Sequence, residues 1–262
     1  MEEMSFWDHV EALRGVLLRA VIVVVVFTVA LFVMMPRIFD TVILGPTHGD
    51  FILYRVFERV TSAVEWLPEI TTTGFDYRLM TIEVPSQFFI HLSTSAYLAV
   101  ALALPVVVWL AWNFVAPALY PREKRSVATA MSMSTLMFYT GVAVGYLLVF
   151  PVTFRFLAEY RVSDLVETHF TLDNYLDLMV SMLLIMGIVF ELPLLCWVLG
   201  RLGALHRSFF GHYRRHAVVA LLTLAALVTP TGDPFTLMIV FLPIYLLYEL
   251  SALLVPRDNE CN

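Results

Sequence analysis

Six stretches of the chain are almost continuously apolar: 16–35, 88–112, 127–150, 175–199, 217–229 and 235–255. Charged, Pro-containing or Gly-containing segments separate them. At 1.5 Å per residue the first four are long enough to cross ~30 Å of hydrocarbon as helices. The pattern predicts an all-α integral membrane protein of six transmembrane helices, a single polytopic domain over residues 1–262. The run 217–229 is too short to cross unaided, so spans five and six are expected in thinned lipid or in the shelter of neighbouring helices. Two longer segments, 36–87 and 151–174, carry apolar pieces such as FILYRVFERVTSAVEWL. They predict a helical cap on the outer face, built for packing rather than for a ligand.

Composition agrees. The 262 residues are 60% hydrophobic and only 15% charged, with a mean hydropathy of +0.82, whereas soluble domains carry ~25% charge. Little is left for a soluble domain. Cys196 and Cys261 belong to no CxxC motif or Cys/His cluster, which disfavours zinc and disulfide folds. Lys124 is the one lysine, so a phosphate-binding GxxxxGKS loop has no residue to sit on, which all but excludes ATP hydrolysis. No cofactor, metal or nucleic acid is expected. The N-terminus, with Glu2, Glu3, Asp8 and Glu11, is unlike a basic secretory leader, so the first span is expected to be retained.

Charge also sets the orientation. Arg14, Arg19, Arg122, Lys124, Arg125, Arg201, Arg207, Arg214, Arg215 and Arg257, ten of the sixteen basic residues, fall on the face that holds both termini. By the positive-inside rule that face is cytoplasmic. Trp109, Trp112 and Trp197 lie at span ends on the same side, where indole rings favour the headgroup layer.

Few polar residues lie within the spans. Glu191, in IVFELPLL, is in the second half of span four, where insertion scales put comparable charges at ~2.5–3.5 kcal/mol. Either its carboxyl is neutral or paired for structural reasons, or it forms a polar wall facing a cavity or a partner helix. Pro193 frees a backbone carbonyl one turn earlier and bends the helix beside it. Pro105, Pro193 and Pro243 are expected to kink three spans into a concave bundle. Gly141 and Gly145 form a GxxxG suited to close packing within this chain. Glu249 lies near the cytoplasmic end of span six, within reach of the interface. His206, His212 and His216 are read as interface residues rather than metal ligands, having no carboxylate or cysteine beside them.

The cytoplasmic segments carry the more specific pattern. FVAPALYPREKRSV sets Pro117, Tyr120 and Pro121 before Arg122, Glu123, Lys124 and Arg125. An ordinary basic loop explains the arginines but not Glu123. Asp8, Glu11 and Arg14 recur every third residue and lie near one another on a helix, as a binding face or a solvated ion pair.

Together WDHVEALRGVLLR, FVAPALYPREKR, LVFPVTFRFL, FELPLL and VTPTGDPFTLMIVFLPIYLLYEL span nearly the whole chain, and they resemble the TatC family, the large subunit of the twin-arginine protein translocase. The resemblance implies a non-enzymatic receptor for Arg-Arg signal peptides of substrates exported already folded. It implies single-span partners of the TatA and TatB kind, further copies of the chain in the active complex, and energy from the proton-motive force. It points to a multi-pass protein of the bacterial inner membrane, preferred to a plastid one because no transit peptide precedes the first span. Glu123 falls on the family's signal-binding glutamate, with Phe114 and Arg125 on neighbouring motif positions. Glu191 falls on the polar position thought to face the single-span partners. One departure stands out: where the family pattern reads His-Leu-x-Glu-Leu-Arg, His9, Leu13 and Arg14 match but Ala12 replaces the glutamate. Glu11 is adjacent, ~100° away around a helix, and is taken with Arg14 into the signal-binding set.

Two rivals come from other classes. A secondary transporter using Glu191 as a proton or substrate site is opposed by the absence of an internal repeat and by sparse intramembrane charge. An intramembrane enzyme lacks any GxSxG, HExxH or paired aspartates.

Overall fold

The computed structural model describes residues 6–56, 77, 79–115, 121–160, 163, 169–201, 205–229 and 233–255; the side chains of 6–10, 115, 121–127, 201 and 228 are not described. Among these residues the regular elements are helices, joined by one isolated bridge between Met80 and Thr171. They are α1 (Phe6–Ile38), α2 (Ser86–Val115), α3 (Pro121–Val144), α4 (Phe150–Glu159), α5 (Leu172–Val189), α6 (Leu192–Arg201), α7 (Arg207–His212), α8 (Arg214–Val228) and α9 (Pro234–Leu254). Five helical stretches are long and apolar enough to cross a membrane: Glu11–Thr47, Ser86–Phe114, Ala128–Glu159, Leu172–Gly200 and Pro234–Leu254. The remaining expected span corresponds to α8, whose 15 residues reach ~22 Å at 1.5 Å each.

Several helices outrun the apolar runs that announced them. α1 begins at Phe6, because the polar start WDHVEALR has strong helix formers and nothing to break it. The third stretch continues past the expected boundary at Pro151 to Glu159. A π-turn at Gly145–Val149, in which the Phe150 N–H bonds to Gly145 O, precedes α4. Pro151 then falls in the first turn of α4, where its missing N–H is tolerated. Thr171 caps α5 by accepting from the Asn174 N–H. Asp233 caps α9 by accepting from the Thr236 N–H at 2.7 Å, with Pro234 in the first helical position.

The chain divides into two compact units, Met1–Ile43 with Thr81–Thr135, and Leu44–Met80 with Leu136–Asn262. In the first, α1 and α2 pack antiparallel, the end of one against the start of the other. The Phe32 ring stacks on His91 at 3.9 Å and 7°, and meets Phe88 edge-on. His91 Nε2 lies 2.8 Å from Phe32 O. That carbonyl would normally accept from residue 36, four positions on, but Pro36 has no N–H to give. The imidazole supplies the missing donor, so Nε2 carries the proton. Along α1, Leu17, Val21, Val25, Val29 and Val33 are exposed, as fits a helix solvated by hydrocarbon.

In the second unit the GxxxG lies in a close helix approach. A Cβ on Gly141 would lie 2.8 Å from Phe190 Cβ and 2.9 Å from Gly187 Cα, and one on Gly187 would lie 2.7 Å from the Phe138 ring. The glycines thus serve α3–α5 packing within this chain. The described parts of segments 36–87 and 151–174 are tied together by hydrogen bonds and rings. Met80 N–H donates to Phe170 O and Leu172 N–H to Met80 O, at 3.0 and 2.9 Å. The buried Tyr54 hydroxyl reaches Pro46 O at 3.0 Å and Pro151 O at 3.2 Å. Arg155 lies over the Tyr54 ring and pairs with Glu159 at 2.9 Å. Phe150, Phe154, Phe170 and Tyr175 pack edge-on or stacked beneath them. Of the segment FILYRVFERVTSAVEWL, residues 52–56 are helical and those from 57 on lie outside the described residues.

Candidate functional site

The residues expected to bind a signal peptide all belong to the first unit. Glu11 and Arg14 are exposed near the start of α1. Phe114 is next to last in α2. Because Phe32 pairs with Phe88 and His91, the antiparallel register carries Arg14 to the level of about Trp109 and Glu11 to about Trp112, at ~1.5 Å per residue on both helices. Glu123 and Arg125 occupy the first turns of α3, which begins six residues after α2 ends; their side chains lie outside the described residues. The start of α1 and the end of α2 therefore share one end of the unit, and the start of α3 follows closely in the chain.

Glu123 is the third residue of α3. A carboxylate can take a guanidinium through two parallel charge-assisted hydrogen bonds, which an ammonium cannot reproduce.

Glu191 belongs to the second unit and sits at a break rather than inside a continuous helix. Residues 190 and 191 form a turn between α5 and α6; the Glu191 N–H reaches Ile188 O at 3.1 Å and its carbonyl accepts from Leu195 at 2.9 Å. Pro193, two residues on and buried, removes the donor that would have continued α5. Glu191 is half-buried, and the neighbouring Phe190 meets Gly141 in the close α3–α5 approach. Pro105 and Pro243, by contrast, lie within α2 and α9.

One polar cluster escaped the sequence reading. Glu249 accepts both from Arg214, through Nε at 2.8 Å and through Nη2, and from the Tyr245 hydroxyl at 2.7 Å. The pair spans 35 positions, and nothing in the local pattern of LYELSA or HYRRHA points to it. His206, His212 and His216 are exposed, the last two touching the Tyr213 ring. Among the described residues no group of His, Cys, Asp and Glu could hold a metal.

The comparisons with known proteins agree with one another. The family model "Sec-independent protein translocase protein (TatC)" matches residues 8–243. The chain is 31% identical over 251 residues to the TatC protein of a Blattabacterium from Periplaneta americana, covering 95% of this chain and 94% of that one. It is 32% identical over 248 residues to that of Deinococcus radiodurans, covering 95% and 84%. Its fold matches the crystal structure of the twin-arginine translocase receptor TatC in DDM with a TM-score of 0.70, at 24% identity over 95% of this chain and 99% of that one. With nearly its whole length matched by the family and by these relatives, the chain belongs to the TatC family, the multi-pass components of the Sec-independent protein translocase.

Proposed function

We propose that the chain is the signal-peptide receptor of its translocase, binding the Arg-Arg pair of folded substrates at the cytoplasmic end of the first unit. The observation that carries this reading is that the start of α1, with the exposed Glu11 and Arg14, and the end of α2, with Phe114, share one end of the unit, Glu123 following in the first turn of α3. Phe114 supplies apolar contact, and Arg14 and Arg125 balance the acidic groups between peptides. The ten basic residues on the face of the termini support a cytoplasmic orientation in a bacterial inner membrane, with α8 as the sixth, short crossing. Glu191, at the break between α5 and α6, is the polar position offered to single-span partners of the TatA and TatB kind. Further copies of the chain join the active complex, and the proton-motive force drives transport.

The test is binding of a twin-arginine signal peptide to the purified chain, beside its Lys-Lys version and the Glu123→Ala variant. Loss of a bidentate charge-assisted contact predicts at least ~10-fold weaker binding in both cases. Equal binding of the two peptides to folded protein would overturn the assignment.

A further inference from the structure

The start of α7, the α7–α8 turn and the last turns of α9 enclose a cleft of about 300 Å³, lined by Arg207, Phe210, Gly211, Arg214, Tyr248, Glu249, Ala252 and Leu253. Its walls are fixed: the Tyr248 hydroxyl donates to Phe210 O at 2.9 Å, and Glu249 holds Arg214 through two hydrogen bonds. Glu249 accepts from Tyr245 as well, so its negative charge is already compensated and its oxygens are occupied. Arg207 makes no ion pair among the described residues, and its guanidinium is the uncompensated charge of the cleft. Below it the lining turns apolar, through Phe210, Ala252 and Leu253. Leu253 is 63% exposed in the last turn of α9, one of the helices apolar and long enough to span a membrane. On the six-span reading this end of α9 lies at the membrane boundary, so the cleft has hydrocarbon on its apolar side and cationic groups on its polar side. Arg215, His212 and His216 are exposed nearby.

We propose that this cleft is a binding site for an anionic phospholipid of the surrounding bilayer, its phosphate held by Arg207 and its first acyl carbons lying on Ala252 and Leu253. A guanidinium matches phosphate oxygens in a planar fork, and the apolar floor distinguishes a lipid from a free anion. The volume is at the lower end of small-ligand sites, ~300–1,000 Å³, enough for a headgroup while the chains remain in the membrane.

The test uses the full chain in mild detergent, with phosphatidylglycerol or phosphatidylcholine added and bound lipid read by native mass spectrometry. Retention of phosphatidylglycerol over phosphatidylcholine is expected, falling about tenfold in Arg207→Gln and partly restored in Arg207→Lys. Arg215→Gln, outside the cleft lining, is expected to bind as the parent does. Leu253→Gln, which leaves every charge in place, is expected to weaken retention through the acyl contact. Equal loss in Arg207→Gln and Arg215→Gln would reduce the site to general surface charge and overturn the proposal, as would unchanged retention in Arg207→Gln. Displacement of the lipid by millimolar inorganic phosphate, with Leu253→Gln neutral, would reassign the cleft to a free anion.

Discussion

Tyr54 shows how much one buried side chain can organise between the long apolar helices. It is fully buried, its hydroxyl serves two backbone carbonyls, and Arg155 covers its ring. Tyr54→Phe keeps the ring and removes the hydroxyl's bonds to both carbonyls, so a loss of ~1 kcal/mol is expected in thermal unfolding. Burial raises the Tyr54 pKa above the ordinary tyrosine value of 10.0. The unfolded chain therefore loses its phenolic proton first. This contribution to stability is intact below about pH 10 and declines as pH rises towards the folded value. Melting curves at pH 8 and pH 10.5 should show an alkaline drop that shrinks in Tyr54→Phe. Nothing in the sequence singles out Tyr54 among the aromatic residues, because its partners are Pro46 and Pro151, the second 97 positions away.

At the scale of elements, the helices were legible because each is announced by local composition, and their ends were not. α1 starts ten residues before its apolar run, and α4 continues beyond Pro151, because helix propensity and a π-turn decide those boundaries rather than hydropathy. The bend expected beside Glu191 at Pro193 takes the form of a turn at residues 190 and 191, between α5 and α6. The GxxxG motif could be read because small residues at this spacing have one principal use, close approach. A methyl on Gly141 would press on Met186 O, Phe190 Cβ and Gly187 Cα. Gly141→Ala should therefore cost about 1–3 kcal/mol by overpacking, seen as a lower melting temperature in detergent. An Ala tolerated without change would mean that α3 and α5 separate freely. Of the proposed signal-binding set, the sequence supplied the residue types and their neighbours in the chain. The shared end of α1 and α2 depends on pairing between Phe32 and His91, which no local pattern encodes.

For the molecule in its bilayer, α8 is the telling length. Its 15 residues come to ~22 Å against ~30 Å of hydrocarbon. On the six-span reading, lipid beside it thins to meet it, and a thinner bilayer is cheaper to open for a passing substrate. Four leucines inserted into α8 would add one turn and remove the mismatch. Export of a twin-arginine reporter should then fall while the protein level in the membrane is maintained, and unchanged export would disprove the thinning effect.

The bond between His91 and the carbonyl that Pro36 leaves open has a consequence for how this sequence can drift. Each residue makes sense of the other: without proline the carbonyl has its ordinary partner and the imidazole has lost its errand, and without histidine the proline leaves an acceptor stranded among hydrocarbon chains. The two positions form a single heritable unit, and descendants of this chain should relinquish them in order, the proline before the histidine.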